Sequence, residues 1–181
     1  YRVPDSREGW CEVVRLKVES YLYSGKPHVV ADTSDVRKKG LPIKGFGGVS
    51  SGPEPLIQLL SDIDMFFKMF MEHSWYDSVI LKTDIANAIG CCVIAGNVRR
   101  SAELGCGSIH DTVFLNLKDY KKYPYRENFG WMSNNSSILS EPDDYLMLGE
   151  IARRVVTNGE PGIINQVNMV KGRVGKDEIG R

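Results

Sequence analysis

The sequence has no surplus of charge of either sign: 23 Lys and Arg balance 23 Asp and Glu over 181 residues. That balance argues against a protein that follows a nucleic-acid backbone by bulk electrostatics, since such binding neutralises many phosphates at once. Any anion site has to be local. No apolar run approaches the roughly 20 residues of a membrane-spanning helix, and the opening residues, among them Arg2, Asp5, Arg7 and Glu8, do not have the form of a signal peptide. The expectation is a soluble, cytoplasmic protein without a membrane or nucleic-acid partner. The four cysteines, Cys11, Cys91, Cys92 and Cys106, lack the paired spacing of a zinc site, and neighbours such as Cys91 and Cys92 are poor partners for an ordinary disulfide. They read as free, mostly buried thiols in a reducing compartment. A Gly-Lys-Ser/Thr phosphate loop, internal repeats and low-complexity tracts are also missing. Starting at Tyr1 and stopping at Arg181, the chain reads as an internal piece of something longer.

What is present centres on Cys91 to Ser108. An apolar, helix-compatible run ends at Gly96, Asn97-Val98-Arg99-Arg100-Ser101 follows, and a small-residue segment closes with Gly105 and Gly107. Gly96 and Asn97 both tolerate the left-handed conformation that ends a helix, so the chain can turn sharply before the arginines. Arginine suits bidentate contact with phosphate and stacking on a base. A second basic segment, Arg37-Lys38-Lys39-Gly40-Leu41-Pro42-Ile43-Lys44-Gly45, is broken by glycines and proline, and is another candidate phosphate loop.

Around these loops the pattern predicts alternating elements. Asp5-Ser6-Arg7-Glu8 has the form of a capping box with Asp5 as the cap, opening a helix with Trp10, Val13, Val14, Val18, Tyr21 and Leu22 on one stripe and Arg15, Lys17 and Glu19 toward water. His28 to Asp32 is a strand candidate. Ser51-Gly52-Pro53-Glu54-Pro55 opens a second helix with Leu56, Leu59, Leu60, Ile63, Phe66, Phe67 and Phe70 on a wide stripe, to pack on the first, with Met65, Met69 and Met71 as packing residues. A third helix from about Thr83 to Ala95, with Ile85, Ala88, Ile89 and Val93 as its apolar face, delivers the arginine loop.

Beyond the loop the pattern predicts a strand over 101–106, a short helical stretch capped near Asp111, and a charged surface connection from Lys121 to Asn128. Trp131 to Leu139 reads as a strand with Asn134 and Asn135 on opposite faces. A helix from about Pro142 to Thr157, stopped by Asn158-Gly159, and a strand Gly162 to Asn165 complete a β-α-β unit, the signature of a parallel sheet.

The ordered set Asp5-Ser6-Arg7-Glu8-Gly9-Trp10, Gly45-Phe46-Gly47-Gly48 with Ser51-Gly52-Pro53, Ala95 to Leu104, Ser133-Asn134-Asn135-Ser136 and Asn158-Gly159-Glu160-Pro161-Gly162 closely resembles the adenosylcobalamin-dependent ribonucleoside-triphosphate reductases, the monomeric class II type. The resemblance implies an α/β fold: part of the family's ten-stranded α/β barrel, with an associated helical effector-binding layer. It divides the chain into 1–80, the helical layer with the first effector loop, and 81–181, the barrel part with the specificity loop. It further implies that Asp5 contacts the ribose of a deoxynucleoside triphosphate effector, with Arg37 and Lys44 near its phosphates. Gly96, Asn97, Val98, Arg99, Arg100 and Ser101 become the substrate-specificity loop.

The reaction implied is reduction of ribonucleoside triphosphates by a thiyl radical that adenosylcobalamin initiates, with thioredoxin as the reductant. The cofactor is expected to be held mainly outside these residues. None of the family's catalytic cysteines matches Cys11, Cys91, Cys92 or Cys106, so no catalytic residue and no metal ligand is assigned. The other class of reading is a stand-alone, non-catalytic nucleotide-binding module holding a nucleotide between the two basic loops.

Overall fold

The structure is a computed structural model describing residues 1–43, 48–96 and 102–172. It divides into two compact units, Tyr1–Ser101 and Ala102–Arg181. The helix leading into the arginine loop packs with the helices before it.

The first unit holds three helices, α1 (Arg7–Leu22), α2 (Glu54–Glu72) and α3 (Ser78–Ile94). In α1 the cap is Ser6, whose hydroxyl accepts from the Gly9 amide at 3.0 Å. Asp5, expected as the cap, is therefore left for another partner. The buried residues of α1 are Gly9, Val13 and Lys17; of the expected stripe Val13 is buried, Trp10, Val14, Val18 and Tyr21 are partly buried, and Leu22 is exposed. Lys17, expected in water, is 4% exposed. Burial is tolerated because its ammonium meets Asp64 Oδ1 at 2.7 Å and the Val29 carbonyl at 3.3 Å. Asp64 also accepts from the Tyr21 hydroxyl at 2.5 Å, and burial followed by that carboxylate pushes the phenol up to about 12.

Helix α2 buries Leu56, Leu59, Leu60, Ile63, Phe66 and Phe67 as its spacing predicts, while Phe70, Met65 and Met71 stay exposed. The expected partner α1 is one neighbour, through Tyr21 stacked on Phe67 at 4.5 Å between ring centres. Helix α3 is the more extensive one. Its N-cap is Asp77, whose carboxylate accepts from the Val79 and Ile80 amides, so α3 starts earlier than the apolar pattern indicates. Its buried face is Ile80, Leu81, Asp84, Asn87 and Ala88, leaving Ile89 and Val93, expected in the core, exposed. The segment His28 to Asp32 forms no strand; only an isolated bridge from Arg2 to Asp32 is made.

The second unit is built on a three-stranded sheet in the order β1 (Glu103–Ser108), β2 (Ser133–Leu139), β3 (Gly162–Asn165), with both pairings parallel. Between β1 and β2 lies the short helix α4 (Thr112–Leu115), capped by Asp111, then two 3-10 turns, Pro124–Asn128 and Gly130–Met132. A 3-10 turn Pro142–Met147, helix α5 (Leu148–Asn158) and the left-handed Gly159, at φ 76°, lead into β3, and α6 (Gln166–Gly172) follows. Gly107 in β1 is required by close packing, since a Cβ there would sit 2.4 Å from the Phe114 ring. Ile109, Leu115, Leu139 and Ile151 make a core between sheet and helices.

The stretch Lys121 to Asn128 is largely exposed as expected, but Tyr123 and Arg126 turn inward: Arg126 is 0% exposed and its guanidinium donates to the Leu117 carbonyl. The structure is mixed α/β with a small parallel sheet, as expected at that level.

Candidate functional site

The first unit contains a cleft of about 300 Å³ between the start of α1 and the end of α3. Part of its lining is polar. Asp5, Ser6 and Arg7 reach it from the opening of α1, and Arg37, Ser50 and Ser51 from the segment between α1 and α2. Asp5, displaced from the cap by Ser6, accepts from Arg37 Nε at 2.6 Å, with both side chains 32% exposed. Arg37 also donates from Nη1 to the Pro42 carbonyl at 3.2 Å. A guanidinium has five N–H donors. Those of Nη2 have no partner among the described residues, so a planar, partly exposed donor pair is available to an anion. The positive end of the α1 dipole lies on the same side.

The lining also holds the apolar side chains of Trp10, Ile43, Val49 and Val93, with Cys11 and Cys92. Cys92 is not a nucleophile here. Burial, followed by the neighbouring Cys91, pushes its thiol up to about 11, so it stays protonated near neutrality. All four cysteines are free, but Cys11 and Cys106 are exposed and not buried as expected. No group of His, Cys, Asp and Glu suited to a metal ion occurs among the described residues.

Asp5 and Arg37, far apart in sequence and singled out for one ligand, are thus in direct contact, and Gly96, the first residue of the arginine loop, lines the same cleft. Lys44 and Asn97, Val98, Arg99, Arg100 and Ser101 lie outside the described residues. Sequence reasoning missed Trp10 and Val93 as cleft residues because both carry a helical apolar spacing and were assigned to the core. The available signal was Arg7, three residues before Trp10 and hence on the same helix face.

A second polar cluster lies in the second unit. Lys118 donates to the carbonyls of Gly130 at 2.6 Å and Ser133 at 2.5 Å, with Glu160 Oε2 at 3.5 Å. Glu160 in turn accepts from the Asn135 backbone amide at 3.0 Å. Burial lowers the Lys118 ammonium from its ordinary range, with Glu160 opposing. Asn135 and Asn134 do face opposite sides of β2, Asn135 buried and Asn134 exposed. Asn135 Oδ1 takes a hydrogen bond from Ser133 Oγ at 2.9 Å, while its Nδ2 has no partner among the described residues. His110, expected as a cap-region side chain, holds Asp144 Oδ1 at 2.6 Å across a capping box at Glu141.

Residues 1–67 match the family described as B12-dependent ribonucleotide reductase, insertion domain. A crystal structure of a B12-dependent (class II) ribonucleotide reductase superposes with a TM-score of 0.71 at 34% identity, over 91% of this chain and 22% of that one. Over most of its length the chain is thus similar to part of the B12-dependent ribonucleotide reductases.

Within that class it is similar to the adenosylcobalamin-dependent ribonucleoside-triphosphate reductases. The protein of that name from Euglena gracilis is 41% identical over 93% of the chain, and that from Lactobacillus leichmannii 38% identical over 91%. The chain spans about 22% of the length of either relative.

Proposed function

We propose that this chain is the effector-binding and substrate-specificity part of an enzyme that reduces ribonucleoside triphosphates to 2′-deoxyribonucleoside triphosphates, with thioredoxin as reductant. The observation that carries the reading is the Asp5–Arg37 pair at the mouth of a cleft that the start of the arginine loop also lines. A carboxylate beside a partly free guanidinium offers an acceptor to a ribose hydroxyl and donors to a phosphate within one ligand's length. Arg37 and Lys44 take the phosphates of a deoxynucleoside triphosphate and Asp5 its ribose. The loop from Gly96 to Ser101 passes the identity of that ligand to the base of the substrate. The three parallel strands contribute to the ten-stranded barrel in which the reaction occurs.

Adenosylcobalamin, when bound, supplies the initiating radical by homolysis of its cobalt–carbon bond. The described residues do not fit it: a cleft of about 300 Å³ with two arginines in its lining is too small for a corrin. Its site is assigned to other parts of the enzyme, and no step of its chemistry runs through these residues.

The test is base selection in the complete protein. Arg99→Ala and Arg100→Ala are expected to change which ribonucleotide is reduced in the presence of each deoxynucleoside triphosphate. Unchanged selection in both variants would sink the assignment of the loop.

A further inference from the structure

In that reading the polar lining of the cleft has an occupant and the apolar lining has none. Trp10 sits one helical turn after Arg7 on α1, on the face that looks into the cleft. It does not belong to the buried stripe of its helix, which runs through Gly9, Val13 and Lys17. Its indole is half-buried and lines the cleft, one turn from an arginine. To the same lining α3 contributes Val93, 44% exposed.

The lining therefore combines charged groups with a flat aromatic surface and a branched aliphatic side chain. A ligand with an anionic tail and a planar, weakly polar head matches both. We infer that Trp10 is the base-stacking residue of this cleft, holding the heterocycle of the bound nucleotide on its indole with Val93 on the far side. This rests on the nucleotide reading above and adds the recognition of the base. Stacking tolerates any base, because every base has a π-face, and it strengthens with ring area. Trp10 thus supplies affinity for all four deoxynucleoside triphosphates, with purines held more firmly than pyrimidines.

The experiment measures binding to the complete protein of the four deoxynucleoside triphosphates and of inorganic tripolyphosphate, a probe with the anionic tail and no base. Trp10→Leu is expected to weaken the deoxynucleoside triphosphates by about 5- to 100-fold, purines most, and to abolish the quenching of tryptophan fluorescence that accompanies their binding. Tripolyphosphate affinity is expected to stay unchanged in that variant and to fall in Arg37→Ala. Trp10→Phe keeps an aromatic face and is expected to retain most of the nucleotide affinity, which separates loss of stacking from loss of fold. Deoxynucleotide binding that Arg37→Ala weakens and Trp10→Leu leaves untouched would overturn the inference while preserving the nucleotide site. Binding that neither variant alters would remove the site itself.

Discussion

Asp5 and Arg37 in the first unit are each 32% exposed, whereas the side chains of Lys118 and Glu160 in the second are 9% and 21% exposed. The two pairs are made of the same kinds of groups, and their uses differ because of what each cation has left to give. An ammonium has three protons, and those of Lys118 are directed at Gly130, Ser133 and Glu160. Arg37 spends Nε on Asp5 and Nη1 on Pro42 and keeps Nη2. A buried pair with every donor placed holds a fold together. A half-exposed pair with a donor in hand can exchange one partner for a ligand at modest cost.

That contrast is broken most sharply at Lys118. Lys118→Ala strands Glu160 and two carbonyls, and is expected to cost about 3–5 kcal/mol in denaturant unfolding. A loss of well under 1 kcal/mol would show the network to be solvated. A comparable loss is expected in the first unit from Phe66→Ala, about 3–5 kcal/mol, because Phe66 is 0% exposed. Phe70→Ala on the same helix, at an exposed position, should cost far less, and equal costs would mean that the burial of α2 is misassigned. Arg37→Ala is expected to leave stability within about 1 kcal/mol of the parent, yet to weaken deoxynucleoside triphosphate binding by about 10- to 100-fold. Titration calorimetry beside a melting curve reads both quantities.

The smallest effects are those of pH. Cys92 is pushed up to about 11, above the 8.5 or so of an exposed thiol. The fold favours its neutral form, so its contribution is complete below about pH 8.5 and is lost as the pH rises toward 11. Cys92→Ala should flatten that part of the alkaline decline, and an unchanged decline would place the cause elsewhere. At the acid end Asp144 behaves in the opposite sense. The backbone amides of Glu141 and Ser140, then His110, hold its carboxyl below the usual range. Its contribution is present above about pH 3.9 and fades as the pH falls through the lowered value.

The elements with strong local signals were legible in the chain. The wide stripe of α2, the β-α-β unit closed by Gly159 and the strand Gly162–Asn165 follow from periodicity and a left-handed stop, and both register partners of β2 are parallel as that unit requires. Features decided by a choice between near-equal local options were less legible. Asp5 and Ser6 are both good caps, and only the approach of Arg37 to Asp5 assigns the cap to Ser6. Lys17 and Arg126 read as surface charges because periodicity counts side chains and not partners. Asp64 and the Leu117 carbonyl, which make their burial affordable, are brought there by other segments.

The sequence by itself determined the helices, the parallel sheet and the ordered motifs that resemble those of the B12-dependent reductases, because each is written in a short stretch through spacing, caps and turns. Only the tertiary structure decided that Asp5 meets Arg37, that Trp10 faces a cleft instead of the core, and that Lys118 is spent on carbonyls. The physical reason is that a side chain's role depends on which distant groups share its low-dielectric surroundings, and no local pattern carries that information.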